Sequence, residues 1–140
     1  MGKVVPSGKT SNERRILIVD DDNDIISFLC DIFSANGYMP TGFTSGKEAL
    51  GALKEQEFDL LLADLIMPEM DGIELLKSAL KTDASLVVII MTGYSTIRSA
   101  IEARKAGAFE YILKPFKSSE LLLIVSHAME AHRLRKAGKE

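Results

Sequence analysis

Three aspartates, Asp20-Asp21-Asp22, directly follow the apolar run Ile16-Leu17-Ile18-Val19. Further apolar runs end at Asp64, at Thr92 and at Lys114-Pro115. Carboxylates brought to one place repel each other and are costly unless something neutralises them. A divalent cation does so, and oxygen-only ligands with an open coordination sphere suit Mg²⁺, which keeps waters and bridges to phosphate oxygens. A lysine and a hydroxyl facing the same spot bind an anionic oxygen. Nucleophile, metal and charge stabilisation are the parts of phosphoryl transfer. An aspartate can be that nucleophile, forming an acyl phosphate.

These residues act together only if the elements before them end side by side. The chain alternates. Ile16–Val19 reads as a buried strand, and Ile25, Phe28, Leu29 and Ile32 fall at helical spacing over 24–35, with Gly37 as a stop. A weaker strand over 38–43 carries Pro40, which places it at a sheet edge. Ser45-Gly46-Lys47-Glu48 is a capping-box signature for a helix to about Gln56. Strands over 58–63, 86–91 and 109–113 alternate with helices over 71–81, 95–106 and 118–137. Five β-α units with wholly apolar strands imply a doubly wound α/β fold, a mostly parallel sheet covered on both faces. Such sheets bind ligands beyond the carboxyl ends of their strands. Residues 1–14 read as a flexible leader, 15–131 as the domain, and 132–140 as the end of the last helix and a tail or linker.

The composition agrees with a soluble domain. The chain has 140 residues, 46% hydrophobic and 26% charged, near the values for globular domains. Net charge is −3, but both ends are basic, so the body is strongly acidic. An acidic body excludes direct nucleic-acid binding through phosphate contacts. A single cysteine, Cys30, excludes an internal disulfide and suits a reducing compartment. No apolar run approaches the roughly 20 residues that span a bilayer. The expected location is cytoplasmic, with no membrane partner.

The stretches ILIVDDD (16–22), DLIMPEMDG (64–72), Met91-Thr92-Gly93 and YILKPF (111–116) resemble the receiver domain of bacterial two-component response regulators. The match covers roughly residues 14–130, and residues 91–116 are similar to the nitrogen-regulator type of receiver. The resemblance implies a CheY-like, flavodoxin-like (βα)5 fold with strand order 2-1-3-4-5. It implies Asp64 as phosphoacceptor and Mg²⁺ held by Asp21, Asp64 and the backbone carbonyl of Ile66, with Asp20 acting partly through water. Lys114 would pair with Asp64 and then with a phosphoryl oxygen, which Thr92 would also bond. Tyr111 would turn with Thr92 and change the face made by the fourth helix, fifth strand and fifth helix. The implied partners are a sensor histidine kinase or histidine phosphotransfer protein and an output partner or domain on that face, with room for a homodimer. Ile66 and Tyr94 occupy the variable positions flanking the site, and both are expected to shield an acyl phosphate from water.

Plainer readings stand beside these. Asp20 and Asp21 could cap the following helix, Asp22 reads as cap or surface, and Asp71 as an N-cap. Tyr111 could be ordinary half-buried packing. Asp20, Asp22 and Asp24 mimic the start of a calcium loop, but Ile25 stands where that loop needs glycine. His127 and His132 lie five apart, wrong for an i, i+4 metal pair, and are expected at the surface. Met67, Met70 and Met91 read as packing or turn residues and Cys30 as inert. Two rival functions are a non-phosphorylated pseudo-receiver and a haloacid-dehalogenase-type phosphohydrolase. The second would use Asp20 as nucleophile, yet Asp24 stands where such enzymes want Thr or Val. A flavin-binding protein is opposed by the acidic loop after the first strand. The chain reads as a switch rather than an enzyme in its own right.

Overall fold

In the computed structural model, residues 13–93 and 96–138 are described; Tyr94 and most of the leader lie outside them. The elements run β1 (Arg15–Val19), α1 (Asn23–Ala35), β2 (Met39–Phe43), α2 (Gly46–Glu55), β3 (Leu60–Asp64), α3 (Gly72–Thr82), β4 (Val87–Thr92), α4 (Ile97–Ala106), β5 (Glu110–Leu113) and α5 (Ser118–Gly138). The five strands are parallel in the order β2-β1-β3-β4-β5. This is the doubly wound fold expected, with the Pro40-containing strand at an edge.

Strand alternation sends side chains to two cores. Leu17, Val19, Leu61, Ala63, Val88 and Ile90 point to one face and pack with residues of α2, α3 and α4. Ile16, Ile18, Leu60, Leu62, Val87 and Ile89 point to the other, against Leu29 and Phe33 of α1 and Leu121, Val125 and Ala128 of α5. Burial on both faces is why these strands read as unbroken apolar runs.

Helix ends follow local chemistry. Asp22 accepts from the Asp24 amide, so the cap reading of Asp22 holds. Asp71 and Glu74 form a reciprocal capping box at α3, and Thr96 and Ser99 form another at α4. At α2 the Ser45 hydroxyl accepts from the Glu48 amide. Gly107 stops α4 at φ 113°, a backbone conformation that costs glycine little.

One sequence expectation fails. His127 is exposed, but His132 is buried at 8% exposure. Its Nδ1 lies 3.3 Å from Oδ1 of Asp59, itself 3% exposed, just before β3. The other oxygen of Asp59 accepts the Arg15 amide at 2.8 Å. The spacing of the two histidines excludes a shared metal, yet it says nothing about which helix face meets the sheet.

Candidate phosphoryl-transfer site

β1 and β3 are central neighbours in register, Val19 beside Ala63. The residues that follow therefore emerge together. Asp20 is fully buried, Asp64 nearly so, and Asp21 is exposed. Carboxylate oxygens of the three lie within 4.8 Å of one another, an all-oxygen group that could hold a metal ion. That donor set fits a hard cation such as Mg²⁺.

Lys114 enters this group from the end of β5. Its backbone amide donates to the Thr92 carbonyl at 2.8 Å, which fixes it beside the end of β4. Its Nζ donates to Oδ2 of Asp20 at 2.7 Å and lies 3.5 Å from Oδ2 of Asp64. The closer partner is thus Asp20, and Asp64, the partner that the resemblance implies, is the looser one. The other oxygen of Asp20 accepts the Asp22 amide at 2.9 Å. The Lys114-Pro115 peptide bond is cis.

The electrostatics are those of an acidic excess. Burial, with the charge of Asp20 and a smaller push from Asp21, raises the Asp64 carboxyl above the usual range, although Lys114 opposes this. Burial alone would lower the Lys114 ammonium. The hydrogen bond and charge of Asp20, and then those of Asp64, outweigh it, and its pKa ends above the ordinary lysine value.

The loop after Asp64 is tightly drawn. Leu65 donates to the Met91 carbonyl and accepts from the Gly72 amide at 2.7 Å. A Cβ on Gly72 would stand 2.5 Å from the Asp64 carbonyl oxygen and 2.8 Å from Leu65 Cα, so only glycine lets α3 start this close to β3. Ile66 projects outward, 52% exposed, at the mouth of the group. Thr92 is buried at the end of β4. Asp71 caps α3, as its position suggested.

Tyr111 sits in β5 opposite Ile90, half-buried against the α4 side of the core. Its hydroxyl is 2.7 Å from the Ser99 hydroxyl, which also closes the α4 capping box. Sequence reasoning missed Ser99. The only local signal was the Thr96-x-x-Ser99 spacing of the box, which does not reveal a tyrosine twelve residues on. It also missed an apolar cavity of about 320 Å³ beside Lys114, lined by Ile25, Phe28, Pro115 and Phe116.

A five-stranded parallel sheet with acids gathered at its carboxyl edge is the frame of a receiver. The family model described as "response regulator receiver domain" matches residues 16–126, and the chain belongs to that family. It is similar to the regulatory protein AtoC of Escherichia coli (strain K12), 38% identical over 87% of this chain and 26% of AtoC. It is also similar to the transcriptional regulatory protein ZraR of Klebsiella oxytoca, 41% identical over 85% of this chain and 27% of ZraR. The chain thus spans about a quarter of the length of these curated relatives. Among solved structures, the beryllofluoride-activated NtrC4 receiver domain dimer superposes with a TM-score of 0.81 at 35% identity, covering 84% of this chain and 98% of that one.

Proposed function

We propose that this chain is a phosphorylation switch of a two-component phosphorelay. The observation that carries this reading is the meeting of Asp20, Asp21 and Asp64 within 4.8 Å, with Lys114 between Asp20 and Asp64. Asp64 is the phosphoacceptor. A carboxylate oxygen attacks the phosphorus of a phosphohistidine on a sensor histidine kinase or phosphotransfer protein. The P–N bond breaks, its electron pair returns to the imidazole, and the aspartyl phosphate forms. Asp21, Asp64 and the Ile66 carbonyl would hold Mg²⁺, with Asp20 acting partly through water. When bound there, the ion would supply neutralisation of charge on phosphoryl oxygens. Lys114 exchanges part of its contact with Asp20 for a phosphoryl oxygen, and the Thr92 hydroxyl donates to another.

Output follows from the α4-β5-α5 face. Ile97 at 82%, Ile101 and Leu113 are exposed there, the kind of apolar surface that a partner, an output domain or a second copy covers. Tyr111 stands under that face. Movement of Thr92 toward a phosphoryl group frees space for its ring and shifts the balance between two surface states. No helix of the described residues is long and apolar enough to cross a membrane.

The test is acceptor mapping. The protein is incubated with Mg²⁺ and acetyl phosphate beside Asp64→Ala and followed by phosphate-affinity gel and intact mass. The expected result is one Mg²⁺-dependent phosphoryl group that the variant lacks. Uptake on Asp20 would favour the hydrolase reading. No uptake, even from a phosphorylated kinase, would favour the pseudo-receiver.

A further inference from the structure

The helix α5 is held in two different ways along its length. From Leu121 to Ala131 its inward residues are apolar and pack into the core: Leu121, Val125 and Ala128 are fully buried, with Leu122, Ile124, Met129 and Ala131 beside them. Apolar packing stops there. The next inward residue is His132, and beyond it Arg133, Leu134, Lys136 and Ala137 are exposed. The final turns are tied to the amino-terminal edge of the sheet by polar contacts. His132 Nδ1 faces Asp59 Oδ1 at 3.3 Å. The Arg135 guanidinium donates to the Leu86 carbonyl at 2.8 Å, ahead of β4. Lys136 lies 3.9 Å from Glu57, and this pair is half exposed.

We infer that His132 and Asp59 form a proton-operated anchor for the last turns of α5. A protonated imidazole 3.3 Å from a carboxylate in a buried setting is an ion pair, and it attracts far more strongly than a neutral ring at the same place. When the imidazole gives up its proton the charge is lost, and only a neutral ring at 3.3 Å from the carboxylate remains. The apolar turns of α5 feel nothing of this. The anchor therefore weakens from the end of the helix backward, and with it the direction in which α5 leaves the domain.

Other charges around the pair do not supply the same control. A cavity of about 500 Å³ beside it is lined from the β1 side by Glu13 and Arg14 and from α5 by Glu130, Arg133 and Lys136. Glu13 pairs with Arg15, Glu130 with Arg133, and Arg14 stacks on the Tyr38 ring. Arg15 also bonds the Gln56 side chain. These side chains are engaged with one another or with an aromatic ring, so the imidazole is the cationic group placed against Asp59 Oδ1.

The experiment is amide hydrogen exchange on the full chain between about pH 5.5 and about pH 8, a range that brackets the ordinary histidine value. Rates are expressed as protection factors to remove the intrinsic pH dependence. Residues 133–138 are expected to lose roughly fivefold in protection across this range, the loss of a charge-assisted contact. Residues 121–128 and strand β3 stay constant. His132→Asn, whose amide keeps a neutral donor to Asp59, is expected to give low protection at both pH values. His127→Gln, on the exposed face, is expected to behave as wild type. Equal protection of residues 133–138 at both pH values in the wild type would overturn the inference. So would a pH dependence that survives in His132→Asn or disappears in His127→Gln.

Discussion

At the carboxyl edge of the sheet Asp20 and Asp64 share Lys114 with Asp21 beside them; at the amino edge Asp59 faces His132. Both groups contain buried aspartates, and strand β3 runs from one to the other, with Asp59 just before it and Asp64 at its end. They differ in balance. One oxygen of Asp59 accepts the Arg15 amide, and the other faces the His132 imidazole at 3.3 Å between helix and sheet. The carboxyl-edge acids outnumber the cation between them, and Asp64 pays for it with a raised pKa. A matched buried pair holds structure in place. An unmatched cluster stores repulsion that a bound cation can relieve.

Substitutions at the two ends should therefore change stability in opposite directions. The largest effect is expected from Asp59→Ala, which removes the acceptor of the Arg15 amide and leaves His132 facing no carboxylate. Breaking a buried pair in this way costs about 3 kcal/mol, read as a lower urea midpoint at unchanged slope. A stability equal to wild type would mean that the amino edge is not a matched pair at all.

Mg²⁺ comes next. At about ten times its dissociation constant a ligand that binds only the folded state adds about 1.4 kcal/mol. The wild type should gain this in thermal unfolding, and Asp64→Asn should gain much less. Equal gains would place the ion away from the carboxyl edge.

A smaller effect is expected from Asp64→Asn without metal, and its sign is opposite to that of Asp59→Ala. Because the folded state raises the Asp64 pKa, the native protein binds this proton more readily than the unfolded chain. Stability then falls as pH rises from the ordinary aspartate value through the raised one. The variant should be more stable than wild type at neutral pH, and the advantage should vanish in acid below the ordinary aspartate range. Paired urea titrations at the two pH values check this. An advantage that persists in acid would mean that Asp64 is not carrying the strain.

The contrast also separates what is legible in the sequence. Asp20, Asp64, Thr92 and Lys114 could be found because each ends an apolar run, and parallel strands carry their ends to one edge. The caps at Asp22 and Asp71 could be found because they bond amides two and three residues away. Ser99 could not be found, because its bond to Tyr111 joins a helix to the following strand across a packing contact. The burial of His132 could not be found either, because a spacing of five from His127 bears on metal binding and not on which helix face meets the sheet. Its burial depends on how α5 is rotated on β3.

Sequence alone therefore determined the β-α alternation, the parallel sheet and the set of residues delivered to its carboxyl edge. Those depend on periodicity and on the residues next to each strand, which are local. Only the tertiary structure decided that Lys114 lies nearer Asp20 than Asp64, that Tyr111 reaches Ser99, and that His132 closes on Asp59. The Lys114–Asp20 bond joins residues 94 positions apart. At such separations the choice of partner is made by tenths of an ångström in how helices seat on the sheet, and no pattern of neighbours along the chain encodes that.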